Sequence, residues 1–69
     1  MTDKNTFLAV GHDDENGGFY SNVFVCDDRG ELETAAVLAL KQQRPDYEFN
    51  NILIVQNDEV IRDFENAVA

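Results

Sequence analysis

"NNILIVQNDEVIRDFENAVA", Asn50 to Ala69, is the stretch whose reading decides the fold. Ile52 to Val55 are four consecutive aliphatics, the pattern of a strand covered on both faces. Asn57 or Asp58 is suited to cap a final helix, and Val60, Ile61, Phe64 and Val68 fall on one side of a 3.6-residue period. Read this way, the last third of the chain is a strand followed by a helix, and the neighbours of that strand include a helical layer.

Working back, "DDRGELETAAVLALKQQRP", Asp27 to Pro45, also has the helical period. Asp28 with Glu31 three residues later fits a capping box, and Leu32, Ala35, Ala36, Ala39 and Leu40 recur on one face. Pro45 stops the helix, because the residue before a proline is pushed out of the helical region. Val37 and Leu38 widen the apolar arc beyond what a small sheet needs, which hints at a further contact.

Ahead of the helix lie two strand patterns. "TFLAVGH", Thr6 to His12, sets Phe7 and Ala9 on one face and Leu8 and Val10 on the other, as an interior strand would. "FYSNVFVC", Phe19 to Cys26, sets Phe19, Val23 and Val25 on one face and Tyr20, Phe24 and Cys26 on the other. Between them "DDENGG" supplies an Asn-Gly step and a second glycine, so the pair forms an antiparallel hairpin. The expected fold is α+β: one domain spanning residues 1–69, with a single-layer sheet of about three strands in β-β-α-β-α order, an N-terminal antiparallel hairpin, and helices packed on the sheet. With 69 residues, the chain is too short for two cores.

A strand–helix–strand crossover within one sheet makes its two strands parallel, so the third strand runs with the second and against the first. This sorts the acids into two ends. Asp3, Asp27, Asp28, Glu31, Asp58 and Glu59 share one, where first-turn positions of helices account for most of them through the helix dipole. Asp13, Asp14 and Glu15 in the hairpin loop share the other with Asp46, Glu48 and the C-terminal carboxylate. No helix start explains these, so Asp13, Asp14, Glu15, Asp46 and Glu48 are the expected partner-binding residues, with Asp27, Asp28, Glu31, Asp58 and Glu59 as a second acidic contact.

Charge is the strongest compositional signal. Fourteen acids against five bases give a formal net charge of −9, which repels nucleic acid and anionic membrane surfaces and attracts a basic partner. Direct nucleic-acid binding and membrane binding are therefore not expected. The single cysteine, Cys26, can form no internal disulfide, and no apolar run approaches a membrane span, which fits a cytoplasmic protein.

"GHDDENGG", Gly11 to Gly18, puts the one histidine beside three acids. The acids are adjacent rather than alternating, no second histidine exists, and the spacing matches no calcium loop, so no metal site is assigned. His12 as a general base lacks a nucleophile motif and a phosphate-binding loop around it. Neither a catalytic residue nor a cofactor is expected, and Tyr20, Phe24 and Tyr47 read as packing residues because stacking platforms for bases come with basic grooves.

The run "FYSNVFVCDDRGELETAAVLALKQQRPDYEFNNILIVQND", Phe19 to Asp58, resembles small acidic proteins encoded by bacteriophages and mobile elements in size, charge and element order. Several of those inhibit host nucleases, polymerases or CRISPR complexes, some by mimicking DNA. The resemblance implies a non-enzymatic inhibitor that occludes a basic, nucleic-acid-binding surface of a partner inside an infected bacterial host. The alternative is a homodimeric or regulatory assembly module that uses an apolar helix or sheet edge, with the charge serving solubility.

Overall fold

The computed structural model describes residues 4–13 and 17–65. They form β1 (Thr6–Asp13), β2 (Gly18–Val25), a 3-10 turn (Arg29–Glu31), α1 (Leu32–Gln43), β3 (Asn51–Gln56) and β4 (Glu59–Glu65). The strands make one antiparallel sheet in the order β2-β1-β3-β4. The fold is thus a small α+β unit, with one α-helix among the described residues and four strands.

The expected final helix is replaced by a strand. Asn57 and Asp58 both have positive φ, 52° and 64°, as a two-residue type I′ hairpin turn requires. The chain therefore reverses at once into β4 instead of starting a helix. The helical spacing of Val60, Ile61 and Phe64 has a local cause: β4 carries a bulge. Val55 pairs with Val60 and Ile54 with Arg62, which leaves Ile61 as an extra residue. One inserted residue breaks the two-residue alternation and makes a strand imitate a helical pattern. Val68 lies outside the described residues.

Strand directions follow the expected sense, since β2 and β3 are both antiparallel to β1. The β1–β2 hairpin pairs Thr6 with Val25 through to Asp13 with Gly18, and Gly17 takes positive φ (70°) and donates its N–H to the Asp13 carbonyl. Asp28 caps the 3-10 turn by accepting from the Gly30 N–H at 2.9 Å, so the capping is one residue tighter than a capping box. At the other terminus the Arg44 N–H bonds the Leu40 carbonyl, and Pro45 follows.

The core lies between α1 and one face of the sheet. Phe7, Ala9, Phe24, Leu32, Ala36, Ala39, Leu40, Phe49, Ile52 and Ile54 are buried together. Phe7 stacks on Phe24 with ring centroids 5.6 Å apart. Gly11 lets the layers close: a Cβ there would sit 2.7 Å from both Leu40 Cδ1 and Phe49 Cδ1. Tyr20 meets Tyr47 edge-on at 5.0 Å and Phe49 at 6.0 Å, while the Arg44 guanidinium lies 5.1 Å from the Tyr20 ring and 5.4 Å from Tyr47. Asn22, on the same face, donates to the Ala39 carbonyl and ties β2 to the helix.

Among the described residues, the other face of the sheet has no such cover. Ile52 and Ile54 are fully buried, but Leu53 and Val55 between them are only half-buried. The two-sided burial expected of this run is therefore realised on one side alone, because the element that would have supplied a second layer is the edge strand β4.

Candidate functional site

Cross-strand register defines the uncovered face row by row. Side chains alternate along each strand, so paired residues point the same way. One row is Val23, Leu8, Val55 and Val60, apolar across all four strands. The next is Ser21, Val10, Leu53 and Asp63, apolar at the centre and polar at both edges. The third is Phe19, His12, Asn51 and Glu65, with the Phe19 and His12 rings 4.7 Å apart. Val25, beside Thr6, completes the apolar end.

Several of these side chains are open to solvent: Phe19 at 75% exposure, Val25 at 69%, Val60 at 56% and Val23 at 53%. An antiparallel sheet with one wet face ordinarily carries polar residues there. A contiguous apolar surface of this kind on a small domain marks a contact site. A hollow of about 350 Å³ opens toward the Thr6 end, lined by Thr6, Leu8, Val23 and Val55 and bounded by Asn57 and Asp58. Leu38, on the outer side of α1, is also exposed, but it stands alone there.

The acids divide between the two ends of the sheet, with one correction at each. At the Asp13 end, Asp13 itself is fully buried. It sits opposite Gly18 on the helix-covered face and close enough to Tyr20 to act on its ionisation. A carboxylate with no exposed surface makes no contact with a partner, so Asp13 leaves the expected binding set. Asp14 and Glu15, like Asp3, lie outside the described residues. Asp46 and Glu48 are exposed, with Glu48 3.7 Å from Lys41 Nζ, which also donates to the Tyr47 carbonyl.

At the Thr6 end, Asp27, Asp28, Glu31, Glu33, Asp58 and Glu59 are all exposed. Asp58 and Glu59 cap no helix; they form the β3–β4 turn and open the edge strand. Their structural explanation as helix-dipole partners therefore falls away, and this end carries more acid than capping requires. Only Asp28 is used as a cap. Nearby Arg29 lies over the Phe7 ring at 5.3 Å.

The ionisation of Tyr20 is clearly displaced. Its hydrogen bond with Tyr47, followed by desolvation, holds its phenol above the ordinary value of 10.0, while Arg44 pulls the other way. Cys26 is partly buried and directs its thiol at the Asp28 carbonyl, 3.1 Å away.

Among the described residues, no group of three or more His, Cys, Asp or Glu side chains could hold a metal ion, and no helix is long and apolar enough to cross a membrane. The uncovered face was missed as a site by sequence reasoning. Its signal was present in Leu8, Val10, Leu53 and Val55, which are apolar on a side where no layer was available to cover them. The chain matches no protein-family model, no curated protein and no solved structure.

Proposed function

We propose that this protein is a small non-enzymatic binding protein that occludes a basic surface of a partner protein, such as the nucleic-acid-binding surface of a nuclease, polymerase or CRISPR complex, as a phage-encoded inhibitor would. The observation that carries this reading is the state of the acids. Every described acid except Asp13 is exposed, and even Glu48, 3.7 Å from Lys41 Nζ, keeps about half of its side chain open to solvent. Carboxylates left unneutralised on a domain with a net charge of −9 create a field that steers basic partners and rejects nucleic acid.

The Thr6 end is the stronger contact, because Asp27, Asp58 and Glu59 have no capping role there. Asp46 and Glu48 form the second. A binding protein of this kind works inside the cell that holds its target.

The test is a pull-down from a bacterial lysate eluted in salt steps, with Asp27→Lys/Asp58→Lys/Glu59→Lys and Asp46→Lys/Glu48→Lys run beside the wild type. The expected catch is a basic protein released by moderate salt, displaced by DNA and weakened by the first variant. Retention that ignores salt, DNA and both variants refutes occlusion. The apolar sheet face favours a second reading, assembly through that face, which has its own chemistry.

A further inference from the structure

We propose that the uncovered sheet face binds a second copy of this chain, forming a two-fold dimer in which two sheets pack face to face between two outer helices. The sequence calls for a second layer: Ile52 to Val55 and Phe7 to Val10 are apolar on both sides, as strands inside a three-layer unit are. Among the described residues of one chain, only the side bearing Phe7, Ala9, Ile52 and Ile54 is covered. The side bearing Leu8, Val10, Leu53 and Val55 needs an equal partner.

Size agrees with self-association. Four strands spaced about 4.8 Å apart and up to eight residues long project about 500 Å². Two such faces bury up to about 1,000 Å², which reaches the threshold for a specific interface.

The pattern across the face also selects a symmetry. With the two-fold axis parallel to the strands and between β1 and β3, the β2 side of one copy lies over the β4 side of the other. Within the register rows, Val23 then faces the partner's Val60, Leu8 faces the partner's Val55 and Val10 faces the partner's Leu53. Asp63 meets the hydroxyl-bearing Ser21 across the interface, and Glu65 meets the rim at Phe19. No acid opposes an acid. An axis perpendicular to the strands through the middle row would instead lay β4 on β4, setting Asp63 against the partner's Asp63 and Glu65 against the partner's Val60, so that like charges meet and a carboxylate is stranded on aliphatic surface. Aligned sheets pack about 10 Å apart at roughly 30°, which lets Val55 and Val60 of one copy approach the hollow beside Leu8 and Val23 of the other.

Asp27, Asp46, Glu48, Asp58 and Glu59 lie outside the facing rows, so self-association leaves the acidic residues of the proposed function open and stands independently of it. The two respond to salt in opposite senses. Screening weakens the grip on a basic partner, but it relieves repulsion between two copies of like charge.

Sedimentation of the full chain from about 1 to about 500 μM, at low and high salt, reads the equilibrium, and the unfolding midpoint read across the same range must rise with concentration. The expected result is a species of twice the 7.8 kDa chain mass, favoured by salt. Val23→Lys and Val60→Glu, each alone, should reduce association at least tenfold. Together they restore it in part by placing Lys opposite Glu. Leu38→Lys, on the outer side of the helix, leaves it unchanged. A chain that sediments as a monomer throughout with a concentration-independent midpoint overturns the proposal, as does a dimer that tolerates Val23→Lys. A dimer lost in both single variants and not regained in the double one overturns the strand-parallel axis. Because the wild-type midpoint is read without any substitution, a variant that fails to fold cannot mask the answer.

Discussion

The two faces of one sheet are built from adjacent residues and have opposite fates. Ile52 and Ile54 lie at zero exposure beneath α1 and Phe49, whereas Leu53 and Val55, their immediate neighbours, look outward and are half-covered. The same contrast separates Phe7 and Ala9 from Leu8 and Val10 on β1. Hydrophobicity does not distinguish these sets; position relative to α1 does. A 69-residue chain has enough material for one layer over one face. What it leaves apolar on the other face is the surface proposed to pair with a second copy.

The contrast predicts unequal responses to substitution. Ile52→Ala or Phe49→Ala removes a fully buried side chain and should cost about 2–5 kcal/mol, most of the stability of so small a domain. Chemical denaturation would show this, and a loss below about 1 kcal/mol would mean that the helix-covered face is not the core.

Gly11→Ala comes next. Its Cβ would stand 2.7 Å from side-chain atoms of both Leu40 and Phe49, so overpacking of about 1–3 kcal/mol is expected. An unchanged midpoint would show that helix and sheet sit further apart than described.

Asp58→Gly should act in the opposite direction. Asp58 holds a left-handed conformation (φ 64°) that glycine adopts without a Cβ penalty. The substitution should stabilise by about 0.5–1 kcal/mol, raising the midpoint by several degrees. Were residues 58–65 helical, glycine at the cap would instead be neutral or slightly destabilising.

This last contrast explains what was legible in the sequence. The N-terminal hairpin, the helix and the aliphatic strand are all visible from periodicity, as are the face assignments on β1 and β2. The β4 strand was hidden because its bulge at Ile61 shifts the alternation by one residue and simulates a helical stripe. The signal that decides it is the two-residue Asn57-Asp58 turn, with β-branched Val55 and Val60 two residues away on either side. Asp13 was misplaced for a different reason: adjacency to Asp14 and Glu15 in sequence suggested a shared surface, but strand alternation sends Asp13 inward against Gly18. The acidic ends were readable as clusters because strand directions follow from the crossover. Their roles were not, since the helix credited with using Asp58 and Glu59 does not form.

Smaller effects sharpen the comparison further. Leu53→Thr, one residue from Ile52, should cost about 1 kcal/mol or less in dilute solution while weakening self-association. A loss equal to that of Ile52→Ala would contradict the difference between the faces. Tyr20 offers a pH signal on the covered side. Its phenol is held above 10.0 by the Tyr47 hydrogen bond, so deprotonation is harder in the folded chain. The stability it lends is complete below the ordinary value and is lost as pH rises through the raised one. Tyr47→Phe should return the tyrosinate absorbance titration of Tyr20 toward 10.0; an unmoved titration would remove that hydrogen bond as the cause.

The most direct test is a dilution series followed by methyl NMR. Resonances of Leu8, Val10, Val23, Val25, Leu53, Val55 and Val60 should move together as the protein is diluted, while those of Leu32, Leu40, Ile52 and Ile54 stay fixed. Outward methyls that hold their positions at every concentration, or inward ones that move with them, would contradict the account of one face as core and the other as interface.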